Sequence, residues 1–237
     1  MNIEWNRVTW YSKFIALILF VALPFIGFYY GMHYGELIGQ AGQAPAITPV
    51  STTTASSYYS DPAEWQTDAN NTQGGFSIAY PLDFAAQDNY SVTPSTDWRL
   101  GSNGEPGIKY FTLTVPDAFE PQTNFIDATL TVGASANNTA IAQCMAPDAG
   151  DGSAMTTSSA TMNGINFTVV RSSGAGAGNL YDTTSYRTLH AGECYAVEYT
   201  VHSGQIANYP SSYNLQQFDG QKVDALMDAI VGTFKFL

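Results

Sequence analysis

From residue 76 onward, apolar and polar residues alternate in short runs bounded by glycine, proline or asparagine, the pattern of half-buried β-strands. Residues 76–80, Phe-Ser-Ile-Ala-Tyr, alternate and stop at Pro81. Residues 109–115 are β-branched and aromatic and stop at Pro116. Residues 127–132, 165–170, 180–189 and 194–201 continue the series. In the last of these runs Tyr195, Val197, Tyr199 and Val201 share one face. Cys194, Ala196, Glu198 and Thr200 share the other, because successive strand side chains point to opposite sides. Two stretches have helical spacing. One is residues 138–145, behind an asparagine-rich start. The other is residues 219–231, where Val223, Leu226, Met227 and Ile230 fall at i, i+3, i+4 and i+7. Asp219 is placed to cap this helix, and Lys222 lies on its polar face. Gly232 ends it, and residues 233–237 read as a short last strand with Phe234 and Phe236 on one face. Residues 133–164, rich in glycine, serine and asparagine, give no assignable pattern. The prediction is an α+β domain of antiparallel strands with a few helices.

Ahead of this domain, residues 14–32 form an apolar run free of Asp, Glu, Lys and Arg. At ~1.5 Å per residue the run spans roughly 28 Å, which predicts a single transmembrane helix over residues 14–34. Arg7 and Lys13 precede it and the next base is Arg99, so the positive-inside bias places residues 1–13 in the cytoplasm and the rest outside. Trp5, Trp10 and Tyr11 on one side and Tyr29, Tyr30 and Tyr34 on the other suit two membrane interfaces. Pro24 reads as a tolerated kink. A cleaved signal peptide is the competing reading, with small residues at 39–42. Residues 35–60 carry Ser, Thr, Pro and Ala and have the composition of a flexible linker. The expected organisation is thus a cytoplasmic start, a membrane span, a linker and an extracytoplasmic domain over residues 61–237.

Charge narrows the partners. Residues 61–237 carry 18 acidic and 6 basic side chains, which accounts for the whole net charge of −12. Such a surface repels phosphate backbones and argues against nucleic acid. The expected partners are the lipid bilayer, through residues 14–34, and a protein or glycan ligand of the outer domain. Cys144 and Cys194 are the only cysteines, and an oxidising exterior predicts a disulfide between them.

Residues 76–81, Phe-Ser-Ile-Ala-Tyr-Pro, resemble the first-strand signature of PsbP-like domains, which share a fold with the Mog1 group. Residues 229–236, Ala-Ile-Val-Gly-Thr-Phe-Lys-Phe, are similar to the end of such domains, where an amphipathic helix runs into a last strand. The resemblance covers residues 74–237 in outline, and residues 133–164 depart from it. It implies an antiparallel sheet flanked by helices, a PsbP/Mog1-like sandwich, in a group that mostly binds or assembles. It carries over no functional residue.

Candidate chemistry is sparse. His190, Glu193 and Cys194 lie close enough to suggest a thiol–histidine pair, but Ala191-Gly192 between them reads as a hairpin turn. His190, His202 and two scattered cysteines lack zinc-ligand spacing. Ser173-Gly-Ala-Gly-Ala-Gly178 is followed by a β-prone segment and reads as a hairpin loop rather than a phosphate cradle. Asp148 and Asp151, in Asp-Ala-Gly-Asp-Gly-Ser, are weak calcium candidates that do not meet the EF-hand pattern. Asp117, Glu120 and Asp127 are the acids considered for glycoside cleavage. Tyr58, Tyr59, Trp65, Trp98, Tyr209 and Tyr213 sit in polar contexts that suit either packing or a ligand-binding patch. Asn70, Asn137 and Asn166 stand in Asn-x-Ser/Thr sequences. No cofactor motif is present. The expectation is a membrane-anchored extracytoplasmic binding or assembly module without a catalytic site, against a surface hydrolase using carboxylates or the Cys/His pair.

Overall fold

The computed structural model describes residues 10–23, 25, 64–70, 74–88, 93–99, 104–146 and 155–237. The chain divides into two compact units, residues 1–53 and 54–237. In the first, residues 10–23 and 25 are helical, with Trp10 stacked on Phe14 at 5.7 Å. The expected membrane span over residues 14–34 is corrected here. The described part of the helix takes in Trp10 and Lys13, ahead of the expected span. Among the described residues no helix is long and apolar enough to cross a membrane. Residues 26–34, the expected linker at 35–60 and Pro24 lie outside the described residues.

The second unit is mainly β. Its strands are β1 (Gln66–Asn70), β2 (Phe76–Tyr80), β3 (Ala85–Asp88), β4 (Ile108–Val115), β5 (Phe125–Ser135), β6 (Met155–Met162), β7 (Ile165–Gly176), β8 (Asn179–His190), β9 (Glu193–Gly204) and β10 (Lys235–Phe236). They form a three-stranded sheet, β1-β2-β10, and a seven-stranded sheet, β3-β4-β5-β9-β8-β7-β6. All strand pairs are antiparallel. The α+β expectation of one sheet flanked by helices is therefore overturned in favour of two sheets sharing a core. Among the described residues the helices of this unit are a short one at Asn138–Ala142 and a longer one at Gly220–Val231, called α2 and α3 after the N-terminal helix α1. Strands β1, β3 and β6 were not visible in the hydrophobic pattern, and they are the elements that complete the two sheets.

The core lies between the inner faces of both sheets and α3. Phe76, Ile78 and Tyr80 of β2 meet Phe111, Leu113, Leu130 and Val197 of the larger sheet. Tyr195, Val197, Tyr199 and Val201 all face this core, as the alternation predicts. The α3 stripe of Val223, Leu226, Met227 and Ile230 is buried in the same core. Two tyrosines pin the helix to the sheet, with the Tyr186 and Tyr199 hydroxyls donating to Asp228 Oδ1 at 2.6 and 2.8 Å. Burial pushes both hydroxyls well above the ordinary tyrosine range, so they remain donors.

Lys222 does not occupy a purely solvated face. Asp219 caps α3 by accepting from the Lys222 backbone N–H at 3.2 Å, while Lys222 Nζ reaches Glu120 Oε1 at 2.5 Å. Glu120 is only 8% exposed and Lys222 39%. Removing the lysine strands a buried carboxylate, so Lys222→Ala is expected to cost about 1–2 kcal/mol after allowance for solvent screening. Urea denaturation checks this, and a loss indistinguishable from zero would mean the pair is solvated.

Candidate functional site

The outer face of the seven-stranded sheet carries the chemistry. Its β8–β9 register places Arg187 opposite Ala196, Ser185 opposite Glu198, Thr183 opposite Thr200 and Tyr181 opposite His202. The neighbouring β5 adds Gly133, Thr131, Thr129 and Asp127 to the same four rows. One end of the face is closed. There Cys194 and Ala196 pack with Cys144 and Ala140, from the α2 segment, and with Trp98 in a small second core. The Cys144–Cys194 disulfide, Cα–Cα 5.6 Å, ties α2 to β9. A Cβ on Gly133 would come within 2.4 Å of the Trp98 carbonyl oxygen, and one on Gly107 within 2.4 Å of the Trp98 ring, so both close approaches require glycine. Asn137 caps α2 by accepting from Thr139 and Ala140.

Beyond this lid the face turns polar. Arg187 is buried, donating from Nε to Ser185 Oγ at 2.9 Å and from Nη1 to the Ala146 carbonyl at 3.1 Å. Glu198 is buried beside it in the register, at 8% exposure. The Thr183 and Thr200 hydroxyls share a hydrogen bond of 2.8 Å. At the far end Tyr181 stacks on the His202 ring, centroids 4.6 Å apart and planes 15° from parallel. His202 Nδ1 lies 3.3 Å from Asp127 Oδ2, and Nε2 lies 2.9 Å from Asn179 Oδ1. The imidazole is held at both nitrogens and on one face. Tyr181 remains 38% exposed. The result is an aromatic plate beside a carboxylate, an amide and a row of hydroxyls.

A second polar cluster joins the two sheets. Asp68 of β1 hydrogen-bonds Asp88 of β3, and burial followed by that bond pushes the Asp68 carboxyl up to about 6. Burial, and then the same two carboxyls, raise the Tyr80 hydroxyl. The folded state thus holds the Asp68 proton more tightly than the unfolded chain does. Its stabilisation is full below about pH 4 and is lost as pH rises through about 6. Asp68→Asn is therefore expected to stabilise the protein at pH 7.5 by up to about 1 kcal/mol, allowing for the exposure of the pair, and to change little at pH 4. Thermal melts at the two pH values test this, and a loss of stability at pH 7.5 would contradict it.

The residues singled out by sequence are dispersed. Cys194 is bonded to Cys144, so no thiol is available to pair with His190. His190 instead lies flat on Phe236, centroids 3.6 Å apart, at the end of the β8–β9 hairpin. That hairpin turns at Ala191 and Gly192, both at positive φ, as expected. The Ser173–Gly178 stretch is mostly strand, with its turn at Ala177 and Gly178. Asp117 opens a 3-10 turn, Glu120 pairs with Lys222, and Asp127 holds His202, so these three acids serve different elements. Trp65 and Trp98 are buried, Tyr209 is half-buried, and Tyr213 is 60% exposed. Asn166 is exposed and accepts from Thr161 Oγ1 at 2.8 Å. Asp148, Asp151, Tyr58 and Tyr59 lie outside the described residues, as does the Asn70 side chain. Among the described residues no three His, Cys, Asp or Glu side chains gather as a metal site. Sequence reading missed Tyr181 and Asn179, which meet their partners through strand register, and Asp68 and Asp88, which meet where the two sheets come together.

No protein-family model and no curated protein matches the chain. A crystal structure from Bacteroides thetaiotaomicron VPI-5482, solved at 1.50 Å, is similar at 13% identity and a TM-score of 0.41. The match covers 73% of this chain and 49% of that one, so this chain spans about half the length of its structural neighbour. No property passes from that protein to this one at such a score.

Proposed function

We propose that residues 61–237 form an extracytoplasmic binding or assembly domain whose outer sheet face takes a hydroxyl-rich ligand, a glycan. The observation that carries this reading is the Tyr181–His202–Asp127 row with Asn179 beside it. An exposed aromatic ring stacks on the apolar face of a sugar, while planar carboxylate and amide groups pair with its hydroxyls. In the next row the half-buried Thr129 and Thr200 offer further hydroxyls, while Thr183 is buried and bonded to Thr200. A fully buried disulfide between the two cysteines of the chain supports maturation outside the cytoplasm. The acidic balance supports a partner other than nucleic acid.

The test is a glycan array probed with the full chain and with Tyr181→Ala. Binding to at least one glycan class is expected, with at least a tenfold loss in the variant at unchanged melting temperature. Absence of any glycan signal would count against the reading. A hydrolase reading falls on the Asp68–Asp88 pair, where a carboxyl held near pH 6 beside a second carboxylate suits proton transfer. Release of reducing ends from the bound glycan, abolished by Asp88→Asn, would favour it.

A further inference from the structure

We propose that Asn163-Gly164 is a self-modification site: Asn163 deamidates when the C-terminal strand undocks, and the carboxylate so formed keeps that strand from redocking. This is independent of the ligand proposed for the outer face.

Asn163 and Gly164 form the two-residue turn between β6 and β7, closed by the Met162–Ile165 pair. Both have positive φ, 50° and 76°. Asparagine is a thermolabile residue, and most so before glycine, whose missing side chain leaves its backbone nitrogen free to attack the amide. Nothing lies within 4 Å of where a Cβ on Gly164 would stand, and Asn163 is exposed, so the turn is open to water. In the reaction the Gly164 nitrogen bonds to Asn163 Cγ and loses its proton. The Cγ–Nδ2 bond breaks and ammonia leaves. Water then opens the cyclic imide at one carbonyl or the other, giving aspartate or isoaspartate. One water is consumed, one ammonia is released and nothing is oxidised or reduced.

The fold guards this step. Asn163 Nδ2 donates to the Gly232 carbonyl at 2.8 Å and to the Phe234 carbonyl at 2.8 Å. Both amide hydrogens are thus given to the stretch that links α3 to β10, and ammonia can leave only after both bonds are released. Release is available at this end of the chain. Strand β10 pairs only through Lys235–Ser77 and Phe236–Phe76, with one further backbone bond from Leu237 to Gly75 at 2.9 Å. A short terminal strand opens more readily than the long strands of the larger sheet. The buried Phe234 ring holds the same stretch from within, so openings are rare and the modification is slow. After the reaction the clasp is reversed. A carboxylate stands where a double donor stood, against two carbonyl oxygens. One of them belongs to Gly232, the C-cap of α3, at the negative end of the helix dipole. Neither carbonyl regains its donor, and the new charge is repelled by both.

Full-length protein is aged at mildly alkaline pH, and deamidation is followed by peptide mass spectrometry at Asn163 and at Asn103, which begins the chain's other Asn-Gly pair. Phe236→Ala removes the ring that lies on His190 at 3.6 Å and loosens β10. It is expected to speed deamidation about fivefold or more at Asn163 and to leave Asn103 unchanged. Asn163→Asp should speed amide hydrogen exchange over residues 233–237 roughly tenfold over the native chain, and by more than Asn163→Gly, which removes the clasp without adding charge. Equal rates at Asn163 in the native chain and Phe236→Ala would overturn the proposal. So would a native chain that deamidates at Asn163 as fast as it does unfolded in urea, or exchange in Asn163→Asp no faster than in Asn163→Gly.

Discussion

Chains carrying Cys144→Ala and Cys194→Ala together are expected to lose about 4 kcal/mol of unfolding free energy. The two cysteines are 50 residues apart, and opening a loop of that size returns roughly this much entropy to the unfolded chain. Native packing adds to the effect. Both sulfurs are fully buried beside Trp98 and Ala196, so their removal also thins the small core under α2. Urea denaturation should show a loss both in the variant and in the native chain in reductant, the larger in the variant, which also lacks the two buried sulfurs. A loss below about 1 kcal/mol in both would mean that the α2 lid is held without the disulfide.

Phe234→Ala is expected to cost about 3–5 kcal/mol. Phe234 is completely buried and stacks on Phe76 at 5.5 Å, with Phe167 edge-on at 6.2 Å and Phe236 at 5.2 Å. It sits where α3 hands the chain to β10, and the Asn163 side chain donates to its carbonyl at 2.8 Å. The aromatic cluster therefore couples both sheets to the C-terminus. Leu226→Ala, in the α3 stripe, should fall in the range of about 2–5 kcal/mol for the same reason. Small and equal losses at both positions, measured by urea denaturation, would make residues 219–237 peripheral.

Much of this architecture could be read from periodicity because most strands have one apolar face. Residues 76–80 match β2 at both ends, and the predicted runs at 109–115, 180–189 and 194–201 fall within β4, β8 and β9. The α3 stripe and its Asp219 cap were legible for a similar reason, since an amphipathic helix writes its packing into the chain. Strands β1, β3 and β6 were hidden because edge strands bury little. In β6 most side chains are exposed, so no alternation is required of them. The turn that joins β6 to β7 did leave a signal. Asn163-Gly164, both at positive φ, is the dipeptide that favours a tight hairpin.

The fold class was misjudged through the same omission. Without β1, β3 and β6, two predicted helices weighed too heavily, and two sheets read as one. The membrane span at residues 14–34 was read from composition alone, and among the described residues no helix is long and apolar enough to cross a membrane. The cysteine pair was legible from count, because the chain has two cysteines and they are bonded to each other. The outer-face row was not, because Asp127, Asn179, Tyr181 and His202 come from three strands and meet only through register. No short motif encodes a constellation of that kind.

The central claim, that ligand is taken on the outer face of the larger sheet, is tested most directly by amide chemical-shift mapping. Isotope-labelled full-length protein would be titrated with an oligosaccharide of the class that binds best on the array. The account predicts saturable shifts concentrated at Asp127, Asn179, Tyr181, Thr183, Thr200 and His202, and silence along α3. Shifts centred on α3 and β10, or none at millimolar ligand, would contradict it.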